Sequence, residues 1–96
     1  MKKRALIESK RGQILEIARV HGALSVRVFG SAARGDDTET SDVDFVVELE
    51  PGRSLLDLGG LQSDLAKLLE CQVDVVTPRG LRKRIRDRVL QEAEEL

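Results

Sequence analysis

Three short runs, LSVRVF at 24–29, DVDFVVEL at 42–49 and QVDVVT at 72–77, alternate in polarity as strands do. Runs of six to eight residues are too short to stand alone. They must therefore share a sheet whose apolar side is covered by helices. In the first, Leu24, Val26 and Val28 face one way and Ser25, Arg27 and Phe29 the other. In the second, Val43, Phe45, Val47 and Leu49 oppose Asp42, Asp44, Val46 and Glu48. In the third, Asp74 and Val76 lie opposite Val73 and Val75.

The segments between these runs carry helical spacing. Ile7, Ile14, Ile17 and Ala18 predict a helix over 4–21 that ends at Gly22. Gly12 weakens its middle, which allows two helices broken near Ser9 to Gly12. His21, in the last turn, suits the negative end of the helix dipole. Ser54 and Asp57 have the spacing of a capping box ahead of Leu58, Leu61, Leu65, Leu68 and Leu69. The pair Gly59-Gly60 costs about 1 kcal/mol per glycine inside a helix, which moves the expected start toward Leu61. Beyond Pro78, the four-residue steps Leu81, Ile85, Val89 and Ala93 predict a last helix. The expected order is helix, strand, strand, helix, strand, helix. It describes one α/β (α+β) domain over 1–96, a small mixed sheet with helices on one face.

With 16 Lys and Arg against 17 Asp and Glu, the net charge of −1 favours neither nucleic acid nor membrane, and any electrostatic message is local. No apolar run approaches the roughly 20 residues of a spanning helix, and MKKRALIESKR has no signal-peptide core, so a cytoplasmic location is expected. Cys71, the one cysteine, can form no intrachain disulfide and has only His21, 50 positions away, as an imidazole partner. Asp36, Asp37 and Glu39 are expected in a solvated loop. The run RGLRKRIRDR at 79–88 is either a solvated helix face, partly neutralised by Lys83–Asp87 and Arg84–Asp87 pairs, or a surface for nucleic acid or an acidic partner.

The chemistry concentrates in the acids. Asp42 and Asp44, at i and i+2 of a strand, project from one face with Cα atoms about 7 Å apart. Carboxylates drawn to about 4 Å would repel by roughly 4 kcal/mol at an effective dielectric of 20, which a divalent cation relieves. Oxygen ligands with no nearby His or Cys suit Mg²⁺ or Mn²⁺ rather than zinc. If 42–49 and 72–77 are neighbours, Asp74 joins them. Three carboxylates and two metal ions match phosphoryl or nucleotidyl transfer. Upstream, the Gly30-Ser31 turn offers backbone N–H groups to a phosphate, with Ser31 and Arg34 as further donors.

Gly30-Ser31, ten residues (AARGDDTETS) and then Asp42-Val43-Asp44 resemble the motif of the nucleotidyltransferase superfamily related to DNA polymerase β. The whole stretch VRVFGSAARGDDTETSDVDFVVEL, with VDVV downstream, is similar to the minimal nucleotidyltransferases of prokaryotes. The resemblance implies a polymerase β-like nucleotidyltransferase fold. It implies that Gly30 and Ser31 bind the triphosphate of ATP, that Asp42 and Asp44 hold two Mg²⁺ ions, and that Asp74 completes the catalytic metal site. Arg34 is similar to an arginine of the family's extended turn motif. It further implies a HEPN-domain ribonuclease toxin as partner, with AMP transferred to a tyrosine of that toxin by an antitoxin. Because 96 residues leave little room for an acceptor-binding domain, the acceptor surface is expected on another chain or a second copy. Two alternatives are a binding-only antitoxin and an RNA-directed nucleotidyltransferase using the 79–88 run, direct nucleic-acid binding being the less favoured.

Overall fold

The computed structural model describes residues 2–96. Two helices open the chain, α1 (Lys3–Ser9) and α2 (Arg11–Val20), so the N-terminal periodic stretch is broken at Lys10, inside the expected interval. Strand β1 (Ala23–Phe29) leads into a single helical turn, α3 (Ser31–Arg34), and then a loop to β2 (Val43–Leu49). Helix α4 (Leu55–Leu69) crosses over to β3 (Val73–Val76). A 3₁₀ turn (Pro78–Gly80), helix α5 (Lys83–Glu92) and a two-residue strand β4 (Glu94–Glu95) follow.

The four strands are ordered β3-β2-β1-β4. Strand β1 runs antiparallel to β2 and to β4, while β2 and β3 are parallel, giving the expected mixed sheet. Each strand's inward alternates build the core: Val26 and Val28 from β1, Val43, Phe45 and Val47 from β2, Val73 and Val75 from β3. Ile7, Ile14, Ala18, Leu61, Leu65 and Leu69 pack onto them from α1, α2 and α4. The second face is partly covered as well. Val46 points there and is only 2% exposed, Val89 of α5 is buried outside the main cluster, and α5 contacts β1. Edge strand β3 is shielded by α4, whose Gln62 Oε1 accepts the Val75 N–H at 2.9 Å.

Several expectations need correction. Helix α4 begins at Leu55, not near Leu61, because Ser54 and Asp57 form a complete capping box and the helix continues through both glycines. Gly60 has a packing reason: a Cβ there would lie 2.9 Å from His21 Cε1. The His21 ring lies across this gap and its Nε2 meets Asp64 Oδ2 at 2.7 Å. The last helix stops at Glu92, leaving Leu81 and Ala93 outside it. Of its apolar steps only Val89 is buried, and Ile85 is half exposed. Asp37 does not belong to a solvated loop. It is 2% exposed, and its Oδ2 accepts the Arg4 N–H at 3.3 Å. The Lys83–Asp87 and Arg84–Asp87 pairs do not form.

Candidate active site

One end of the sheet gathers the acids. In the parallel β2–β3 ladder Asp44 stands directly opposite Asp74, so the two side chains share the second face of the sheet. Asp42 lies just ahead of β2, exposed, because the strand begins at Val43, whose N–H bonds to the Gln72 carbonyl. Asp44 is half buried and Asp74 exposed. The β1–β2 ladder puts Phe29 opposite Asp44, so the turn at Gly30 and Ser31 emerges beside the same carboxylate.

Gly30 is required there twice over. Its φ of 74° with ψ of −150° lies where side-chain-bearing residues are strained, and a Cβ on it would come to 2.6 Å from Asp44 Oδ2. The α3 turn that follows has no side-chain cap. The leading N–H groups of such a turn lack intrahelical acceptors. Arg34, at its end, donates from Nε to Asp36 Oδ2 at 3.3 Å and places Nη1 3.5 Å from Glu92 Oε2 of α5.

Burial, then the charges of Asp74 and Asp42, hold the Asp44 carboxyl above the usual aspartate range; Arg34 pulls it back down. The protein thus assembles more negative charge than it neutralises, and it divides the opposing guanidinium between two other carboxylates. Among the described residues no group of three or more His, Cys, Asp or Glu side chains is arranged to hold a metal ion, so Asp42, Asp44 and Asp74 do not form the expected three-carboxylate ligand set on their own. An all-oxygen set with surplus negative charge has the donor chemistry of hard divalent cations such as Mg²⁺, which keep several waters and need few protein ligands.

Every residue singled out from the sequence (Gly30, Ser31, Arg34, Asp42, Asp44 and Asp74) falls at this end of the sheet. Glu92 carried no signal in the sequence, since its partner lies 58 positions earlier and only the fold joins them. Cys71 takes no part: burial pushes its thiol up, away from the reactive thiolate. A hollow of about 780 Å³ opens elsewhere, between Glu48–Leu49, Leu55, Leu58 and Thr77–Arg79 at the far ends of β2 and β3, and none of the six residues lines it.

Comparison with known proteins decides the family. The nucleotidyltransferase domain model matches residues 11–96. The chain belongs to the nucleotidyltransferase family. It is 43% identical over 86 residues to MJ0435 of Methanocaldococcus jannaschii, a protein named as a candidate protein adenylyltransferase, with 90% of this chain and 91% of that one covered. It is 39% identical over 77 residues to the protein adenylyltransferase MntA of Thermococcus cleftensis, covering 80% of this chain and 78% of MntA. The solved structure of a candidate minimal nucleotidyltransferase superposes with a TM-score of 0.89 at 45% identity, covering 100% of this chain and 97% of that one. A toxin–antitoxin complex with AMP-PNP shares the fold at a TM-score of 0.76 and 22% identity, over 88% of this chain and 69% of that one. Among the described residues no helix is long and apolar enough to cross a membrane.

Proposed function

We propose that this nucleotidyltransferase moves AMP from ATP to a hydroxyl of a partner protein, a tyrosine of a HEPN-domain toxin, and so acts as that toxin's antitoxin. The observation that carries the chemistry is the register of Asp74 opposite Asp44, beside the turn that Gly30 opens. Support for a protein acceptor comes from the names of MJ0435 and MntA, and support for a toxin partner from the toxin–antitoxin complex of like fold. This chain contains no tyrosine, which excludes tyrosine self-modification.

In this reading Asp42, Asp44 and Asp74 would hold two Mg²⁺ ions. When bound, such ions screen the phosphate charge and stabilise the attacking and leaving oxygens. Gly30 and Ser31 orient the β- and γ-phosphates, and Arg34 exchanges Glu92 for a phosphate oxygen. The acceptor oxygen attacks the α-phosphorus, the bond to the bridging oxygen breaks, and pyrophosphate leaves. Asp74, exposed on the strand face, orients the acceptor hydroxyl and takes its proton.

The test is incubation with Mg²⁺, the HEPN-domain product of an adjacent gene, and ATP labelled at either the α- or the γ-phosphate. Label should reach the partner from the α position alone, and Asp42→Asn with Asp44→Asn should reduce it by roughly 100-fold or more. Toxin neutralisation undiminished in that double variant would point to masking without catalysis, and label on RNA alone would replace the protein acceptor with a nucleic acid. Mg²⁺ with ATP should also raise the melting temperature of the wild type and leave the double variant unmoved.

A further inference from the structure

The outer face of α5 is left without a partner. Six of the 16 basic residues and one of the 17 acidic ones fall within 79–88, so that run carries +5 and the remainder of the chain −6. Among the described residues no carboxylate lies within ion-pairing distance of Arg82, Lys83, Arg84, Arg86 or Arg88. Arg82, Arg84, Ile85 and Arg88 line a hollow of about 400 Å³, and Ile85 is 50% exposed. On the same helix, Arg86 Nε is buried with no hydrogen-bond acceptor. Positions 85 and 88, and 84 and 88, follow the i, i+3 and i, i+4 spacings of one face of α5, and Arg82 stands at its N-cap.

We infer that this face of α5 docks an acidic helix with an apolar stripe, belonging to the protein that accepts the nucleotidyl group. The inference rests on the reading that the acceptor is a protein. A half-exposed isoleucine sharing a hollow with three arginines has the composition of a protein interface core, where arginine is enriched and an apolar anchor is enclosed by polar contacts. A nucleic acid fits less well. The surface has no aromatic residue on which a base could stack, and the −6 on the rest of the chain repels a long polyanion while a compact acidic patch avoids it. The placement also suits the reaction. Ile85 lies seven residues, about 10 Å along the helix axis, from Glu92, which holds Arg34 at the edge of the site. A helix seated on α5 therefore lies within two helical turns of the contact between Glu92 and Arg34.

The test uses a fluorescent helical peptide of about 20 residues, glutamate-rich with a leucine stripe at i, i+4 and i+7. A second peptide has that stripe changed to glutamine, and an oligo(U) RNA has similar length. Anisotropy at physiological salt should show the leucine-striped peptide bound most tightly. Arg84→Glu with Arg88→Glu should weaken it about tenfold or more, and Arg84→Gln with Arg88→Gln by an intermediate amount. Circular dichroism and Mg-ATP binding should be unchanged in both variants. Equal affinity for the two peptides, or peptide binding unaffected by charge reversal, overturns the inference, as does tighter α5-dependent binding of the RNA. If the wild type labels no protein while the peptides behave as described, the transferase reading falls and the docking surface stands.

Discussion

At the scale of single residues, the site depends on how closely a backbone can approach a carboxylate. Gly30 meets that need with a positive φ and with the absence of a Cβ, and the Asp44 oxygen occupies the space gained. Gly30→Ala should therefore cost about 1–3 kcal/mol from backbone strain, read as a lower urea midpoint. It should also abolish Mg-dependent ATP binding, since relief of the contact must move either the turn or Asp44. A normal midpoint with intact nucleotide binding would show that the turn relaxes freely. Asp37 illustrates a different local need. Lys2, at the N-cap of α1, offers no side-chain acceptor, and the carboxylate 33 residues after Arg4 supplies one. That contact ties the loop between α3 and β2 to the first helix.

At the scale of elements, α4 shows local rules of unequal strength. Two glycines lower its helical propensity, yet the capping box starts the helix upstream of both and the Leu61, Leu65 and Leu69 stripe buries behind them. The backbone N–H of Ser54 first, and then Arg53, hold the Asp57 carboxyl below its usual range. A depressed folded value means that its contribution is fully present above the ordinary aspartate pKa of about 3.9 and is lost as pH falls through the folded one. Stability should accordingly decline on acidification below about pH 4, and Asp57→Asn should flatten that part of the curve of unfolding midpoint against pH. An unchanged acid limb would show that the box adds nothing in solution. In α5 the opposite holds. Cations open a helix with no side-chain cap and no acid in its first turn, an arrangement that its own dipole disfavours.

At the scale of the whole molecule, one core must hold a sheet of which only three strands exceed two residues. Phe45 lies at its centre, fully buried in the middle strand pair with Val28 and Val75 as its ladder neighbours. Truncation, Phe45→Ala, should cost about 3–5 kcal/mol, a large part of the 5–15 kcal/mol that folded domains typically possess. Denaturant titration should find the variant largely unfolded or close to it, and a loss under about 1 kcal/mol would mean that the core repacks around the gap. The same strand carries Asp44 one position before Phe45, so core and site cannot move independently.

Much of this was legible in the sequence because it depends on short-range periodicity. Alternation located three strands, 3.6-residue spacing located the helices, and the acids at 42, 44 and 74 were conspicuous because charge is costly inside apolar strands. What periodicity cannot carry is which strand lies beside which. The Asp44–Asp74 register, the return of residues 94–95 to the edge of β1, the Arg34–Glu92 contact and the capping of α1 by Asp37 all join positions 30 or more residues apart. The last helix, Lys83–Glu92, is shorter than its four-residue steps predict for the same reason. Whether Ile85 and Ala93 extend a buried stripe depends on what the sheet presents to them, and the sheet leaves Ile85 half exposed and draws residues 94–95 into a strand. Residue types and their spacing determined the chemistry available to this protein, and the pairing of distant strands decided that it converges at one end of the sheet.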